Sequence, residues 1–160
     1  CVGNQNAVGD VSARMKRIAS AALIVAVVAG SLRLFTMLWH RDALEDLPTQ
    51  PGGWLGAIAI VIASAVVHEL LHAIGWRFIA RVPFSIRPTW SVMGFAAEPD
   101  APVPARTYRI VAALPALLLA VPAILGGLAL GNGLVMLWGG FFLLECFSDF
   151  ARARAATTLR

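Results

Sequence analysis

Residues 53–80 of the chain read GWLGAIAIVIASAVVHELLHAIGWRFIA, an apolar stretch that contains few charged residues. A helix of about 20 apolar residues is long enough to cross a bilayer. Three further stretches of this kind occupy residues 17–39, 109–130 and 133–151. The sequence therefore predicts an all-α membrane protein, built as a bundle of about four transmembrane helices.

The composition favours the same environment. Hydrophobic residues make up 59% of the chain and charged residues only 14%. A soluble domain has a smaller fraction of hydrophobic residues and a larger fraction of charged ones. At 160 residues, four helices and short connections use up the length. We predict a single membrane-embedded domain over residues 1–160, with membrane lipid as its surroundings.

The net charge of +4 does not indicate a nucleic-acid partner, because the basic residues flank the apolar stretches and form no polar stripe. They cluster before the first helix, between the second and third, and after the fourth. The connection 40–52 has one basic residue, Arg41, and the turn 131–133 has none. By the positive-inside rule, both termini and residues 81–108 are predicted to be cytoplasmic.

The connection between the second and third helices differs from the rest, because its prolines forbid a regular helix: Pro83, Pro88, Pro99, Pro102 and Pro104. Apolar residues alternate from Val82 to Ile86, which is typical of a strand. We predict a short extended hairpin that turns at residues 87–89 and returns over residues 90–95.

The chemistry of the chain is concentrated in His68-Glu69-Leu70-Leu71-His72, which matches the zinc signature H-E-x-x-H. Residues four apart lie on one face of a helix, so His68 and His72 can bind one tetrahedral ion. Glu69 then flanks a zinc-bound water and can act as general base when this water attacks a carbonyl. The motif predicts Zn²⁺ as cofactor and Glu69 as the catalytic residue.

A structural interpretation of the motif is also available: the histidines could hydrogen-bond between helices while Glu69 pairs with an arginine. The depth of the motif argues against it. An acidic or basic residue at the bilayer centre costs at least roughly 2.5–3.5 kcal/mol, so a polar cluster there indicates a function.

A catalytic zinc site needs a third protein ligand. Glu145 and Asp149, four residues apart in the last apolar stretch, are the candidates. The predicted topology gives Asp149 the depth of the histidines, so we predict Asp149 as the third ligand. Glu145 is the alternative ligand, or a hydrogen-bond acceptor for a ligand. Asp149 could instead be a solvated helix-end residue paired with Arg152 or Arg154.

The motif, the Pro-rich connection, Tyr108-Arg109 leading into Leu114-Pro115, and Ser148-Asp149 together resemble the family of bacterial putative zincin peptidases. The resemblance covers roughly residues 55–155. That family is similar in plan to the site-2 proteases, which are intramembrane zinc enzymes. Ser148 precedes Asp149 where the family usually has Gly, and Phe150 follows where site-2 proteases have Gly.

The resemblance implies hydrolysis of peptide bonds within or beside the membrane, with Asp149 as a ligand. We therefore expect an intramembrane or membrane-associated zinc metalloprotease, located in a bacterial cell membrane, that cleaves a membrane protein or peptide. The hairpin could pair with an extended substrate strand.

Two other functions stay open. One is a zinc-binding membrane protein without catalysis, such as a pseudoprotease or regulator, and the other is a metal carrier. Glu69 favours the protease, because hydrolysis needs a base whereas metal binding by two histidines does not.

Overall fold

The computed structural model describes residues 3–88 and 94–155. In chain order this part forms α1 (Gly3–Trp39), a short 3₁₀ helix (Ala43–Asp46), α2 (Pro51–Ile74), β1 (Phe84–Pro88), β2 (Phe95–Pro99), α3 (Ala105–Pro115), α4 (Val121–Leu130), α5 (Gly133–Glu145) and α6 (Phe147–Ala155). A π-helical turn, Gly75–Ala80, extends α2, and a second one, Ala116–Ala120, joins α3 to α4. The predicted helical architecture with a small hairpin between the second and third long helices is confirmed.

Four helical segments are long and apolar enough to cross a membrane, as predicted: Ile18–Trp39, Pro51–Ala80, Ala105–Leu130 and Gly133–Ala153. We call them spans one to four. Span two begins at Pro51 and not at residue 53, and span three begins at Ala105 and not at residue 109. Pro51 explains the first of these starts, because proline suits the first turn of a helix, where no N–H is needed. Pro104 directly precedes span three as the N-cap residue of α3. These four apolar helices indicate a membrane protein.

Span four is not one regular helix. A turn at Cys146 separates α5 from α6. The N–H of Cys146 is shared between the carbonyl groups of Leu144 and Phe142, and its ψ is −7°. Glu145 and Asp149 therefore lie in consecutive helices, where the sequence predicted one face of a single helix.

The main core lies between spans one, three and four. Phe35, Phe142 and Cys146 are fully buried within it. Glycine lets α4 and α5 approach closely, since a Cβ on Gly127 would meet backbone atoms of Met136. The Asn132 side chain caps α5 by accepting the N–H of Val135. Spans three and four therefore form a tight antiparallel pair.

The hairpin is antiparallel, with Phe84 opposite Pro99 and Pro88 opposite Phe95. The return strand therefore runs over residues 95–99, and the prediction of a return over residues 90–95 was wrong. Residues 89–93 lie outside the described part of the chain. Gly94 has a φ of +72° just before β2, a conformation that glycine adopts without strain. The strand pattern could not place the return, because the register of a hairpin is fixed by its turn and not by alternation alone.

The hairpin packs against spans two and three. Ala73 and Trp76 of span two form a second buried cluster with Ala97 of β2 and Val111 of α3. Gly75 permits the close approach of span two to α3, because a Cβ there would collide with the side chains of Val111 and Leu114. The hairpin is therefore held against the helix that carries the H-E-x-x-H motif.

The two remaining connections meet at the opposite end of the bundle. Arg41 forms an ion pair with Asp46 and donates to the carbonyl oxygen of Gly131. Asp46 also accepts the N–H of Gly133. Arg41 and this N–H hold the pKa of Asp46 below its usual value. The connection after span one is thereby fastened to the turn between spans three and four.

Candidate metal site

Span two brings His68 and His72 onto one face. Their spacing of four residues stacks them one turn apart, and their ring centroids are 5.0 Å apart. Both residues are buried. A buried imidazole needs a partner for its ring nitrogens, so this face must meet a polar group from another element.

That group is the carboxylate of Asp149 on α6. Its Oδ2 atom lies 3.1 Å from Nε2 of His68 and 3.3 Å from Nε2 of His72. The side chains are 12%, 10% and 7% exposed for Asp149, His68 and His72 respectively. Three potential ligand atoms from two spans therefore converge in a nearly enclosed position.

These residues fit a zinc ion. Ligands about 2.0–2.2 Å from a tetrahedral ion lie roughly 3.3–3.6 Å from one another, close to the two distances from Asp149 Oδ2. The three ligand atoms all lie within 4.8 Å of one another. Nε2 of His72 is buried and lies 3.3 Å from Oδ2 of Asp149, but it makes no hydrogen bond within the described part of the chain. A bound ion would satisfy this orphaned nitrogen, which the carboxylate alone does not.

Glu69 lies beside the metal-ligand candidates. It is half-buried, and its Oε2 accepts the N–H of Ala97 on β2 at 2.7 Å. The carbonyl oxygen of Ala97 accepts the indole N–H of Trp76 at 2.8 Å. One carboxylate oxygen of the predicted base is thus held by the hairpin.

The alternatives that the sequence left open are separated by position. Glu145 is absent from the three-residue cluster that the described residues form. Arg152 lies 3.6 Å from Glu98 of β2, while Asp149 is 12% exposed and contacts the two histidines. Asp149 is therefore not a solvated helix-end residue; the side chain of Arg154, the other proposed partner, lies outside the described residues.

Sequence reasoning missed Ala97 and Trp76. No pattern links an alanine in a Pro-rich connection to a glutamate of the preceding helix. A signal for Trp76 existed, because it follows Glu69 by seven residues and so returns to the same helix face.

Comparison with known proteins adds one finding. The family model described as putative zincin peptidase matches residues 61–157, a range that contains both histidines, Glu69 and Asp149. No curated protein and no solved structure matches the chain. The family description implies a metallopeptidase that uses zinc, in agreement with the predicted resemblance. The matched range covers more than half of the sequence, and the chain belongs to the putative zincin peptidase family.

Proposed function

We propose that this protein is an intramembrane or membrane-associated zinc metalloprotease. His68, His72 and Asp149 hold the ion, and Glu69 is the general base. The observation that carries the proposal is the convergence of the three ligand atoms, from spans two and four, beside Glu69. Membership of a zincin family supports peptide-bond hydrolysis over other metal-dependent reactions.

His68, His72 and Asp149 would hold zinc, which would lower the pKa of a bound water molecule to about 7 and polarise a carbonyl group. Glu69 would take up the proton of the attacking water and give it to the leaving amine. Its Oε2 is engaged by the Ala97 N–H, and a peptide N–H can only donate. This hydrogen bond uses one lone pair of Oε2 and leaves Oε1 free of it, and we assign the proton to Oε1.

The buried position of the ligands suits a substrate that approaches from the membrane. A transmembrane segment must unwind before its backbone can reach Glu69, and the hairpin offers extended backbone for pairing. The Ala97 N–H and carbonyl group both bind span two, so this part of β2 cannot accept a substrate strand. Along an antiparallel strand, the backbone N–H and carbonyl groups of successive residues point alternately towards and away from the partner strand, and residues opposite each other share the same arrangement. Ile86, opposite Ala97, therefore turns its backbone groups to the outer edge of β1. This edge lies about two strand spacings, roughly 10 Å, from the β2 edge that contacts Glu69, so we propose it as the pairing edge for residues that flank the cleaved bond.

The orientation is also a proposal. The hairpin contacts α6 through Glu98 and Arg152, while Arg41 joins the two connections at the other end. This grouping agrees with the distribution of basic residues, which favours a cytoplasmic hairpin and cytoplasmic termini. The metal site then opens towards the cytoplasmic half of the bilayer.

Metal content and cleavage test the proposal together. Detergent-purified protein is analysed by elemental mass spectrometry as the unaltered chain, His72→Ala and Glu69→Gln. The proteins are also reconstituted with a library of synthetic transmembrane peptides, and new peptide ends are located by mass spectrometry.

We expect about one zinc per chain in the unaltered protein and in Glu69→Gln, and loss of zinc in His72→Ala. Cleavage should require the unaltered chain and stop when a zinc chelator is added. Absence of zinc in every form, even after zinc is supplied, would exclude the proposal. Zinc without cleavage of any peptide would favour a non-catalytic zinc-binding protein.

A further inference from the structure

The N–H and the carbonyl group of Ala97 are both held by span two. Its N–H donates to Oε2 of Glu69 at 2.7 Å, and its carbonyl oxygen accepts Nε1–H of Trp76 at 2.8 Å. Glu69 and Trp76 are seven residues apart and so lie on one helix face, two turns from each other. Span two therefore hydrogen-bonds both backbone groups of a single β2 residue, one through the predicted base and the other through a tryptophan.

Burial strengthens these two hydrogen bonds. Trp76 is 3% exposed and Ala97 is 6% exposed. An indole has one hydrogen-bond donor and no acceptor, so a buried tryptophan depends on one acceptor. Loss of the indole N–H would leave the Ala97 carbonyl group buried without this partner, which is costly in a medium of low dielectric constant.

The hydrogen bonds between Ala97 and span two are not part of the β1–β2 hydrogen-bond ladder, as their direction shows. The backbone groups of Ala97 point to span two and so point away from β1, because antiparallel residues alternate between the two directions. The β1–β2 pairing does not use them. What they do instead is fix the distance between β2 and the carboxylate of Glu69.

We propose that Trp76 is a positioning residue for Glu69, acting through the backbone of Ala97. The indole holds the carbonyl group of Ala97, the extended backbone of Ala97, paired with β1, sets the direction of its N–H, and the N–H holds Oε2 of Glu69. Oε1 is left free of this hydrogen bond. This inference rests on the proposed function, since it assigns Trp76 to the same hydrolytic site.

The test compares tryptophans with and without this hydrogen bond. Trp76→Phe removes the indole donor. Trp138→Phe is the matched control, because Nε1 of Trp138 is buried and has no hydrogen-bond partner within the described residues. Ala97→Pro is the second variant: it removes the N–H that binds Glu69 and puts the proline ring where Oε2 lies, so the carboxylate must move. A proline whose nitrogen faces away from the partner strand leaves the ladder intact.

Zinc content, kcat and KM are measured on the synthetic transmembrane peptide that the unaltered protein cleaves fastest. We expect Trp76→Phe and Ala97→Pro to keep their zinc and their KM, and to lose kcat by about 10- to 100-fold, as small misplacements of catalytic groups do. Trp138→Phe should keep its kcat. Adding Trp76→Phe to Glu69→Gln should cause no further loss, because both changes act on one group.

Equal kcat values for Trp76→Phe and Trp138→Phe, with zinc and cleavage present in the unaltered protein, would overturn the role of Trp76 and leave the proposed function standing. Loss of zinc in both Trp76→Phe and Ala97→Pro would show a structural role instead and also overturn it. Absence of zinc and cleavage in the unaltered protein would overturn both proposals.

Discussion

Oδ2 of Asp149 lies 3.3 Å from Nε2 of His72, although the two residues belong to different membrane spans. The same oxygen lies 3.1 Å from Nε2 of His68. The helix that carries Asp149 begins at Phe147, directly after the turn at Cys146. Span four therefore contributes to the candidate metal site through its last short helix, α6, and not through α5.

Asp149 and Glu145 should differ in their effect on zinc. Asp149→Asn replaces the carboxylate between the two histidines by a much weaker ligand, so we expect bound zinc to be lost. Glu145→Gln is the matched control, because Glu145 lies outside the cluster and its zinc content should match that of the unaltered protein. Elemental mass spectrometry measures both. Zinc loss in Glu145→Gln with zinc retained in Asp149→Asn would reverse the assignment of the third ligand.

Two adjacent glycines in α4 should respond differently to alanine. A Cβ on Gly127 would meet backbone atoms of Met136, whereas a Cβ on Gly126 has nothing within 4 Å. Overpacking costs typically about 1–3 kcal/mol, and more where backbone must move. We expect Gly127→Ala to lower the thermal unfolding midpoint in detergent markedly, and Gly126→Ala to leave it unchanged or raise it. Equal midpoints would contradict the close α4–α5 packing.

The contacts of Asp46 with Arg41 and with the Gly133 N–H, at the end of the bundle opposite the hairpin, should weaken in acid. The hydrogen bond from Arg41, and then that from the Gly133 N–H, lower the pKa of Asp46 below its usual range. A lowered folded-state pKa means that the ionised form stabilises the fold above the unfolded-state pKa, and that this stability is lost as the pH falls through the folded-state value.

The measurement for Asp46 is the thermal unfolding midpoint at about pH 7 and about pH 3. The unaltered protein should lose more stability on acidification than Asp46→Asn, which lacks the titrating group. The comparison between the two proteins removes the contribution of other carboxylates. An equal fall of the midpoint in both proteins would show that the charge of Asp46, paired with Arg41, does not contribute to stability.

Cys146 should be chemically protected in the folded protein. Its side chain is fully buried in the main core, so a thiol reagent cannot reach it without local opening. In a Cys1→Ser variant, we expect maleimide to label Cys146 only after denaturation in a strong detergent. Rapid labelling of the folded protein, read by intact mass spectrometry, would contradict the burial of the turn between α5 and α6.

Local physics explains what could be predicted. Bilayer crossing depends on the summed hydropathy of about 20 consecutive residues, so all four spans could be read directly from the chain. The pairing of His68 with His72 follows from the helical period alone. The hairpin could be predicted in kind, because prolines exclude a helix, but the exact partner residues depend on where the chain turns.

The four apolar spans and the zinc motif follow from the sequence alone, because each depends on residues close together in the chain, and the family follows from motifs spread over roughly residues 55–155. The contact of the histidines with Asp149 instead of Glu145, and that of Glu69 with Ala97 of the hairpin, required the folded structure. Such contacts depend on the rotation of each helix about its axis and on its depth beside its neighbours. Those quantities are set by packing, including the glycine contacts of α4 with α5 and the turn at Cys146, and no local pattern encodes them.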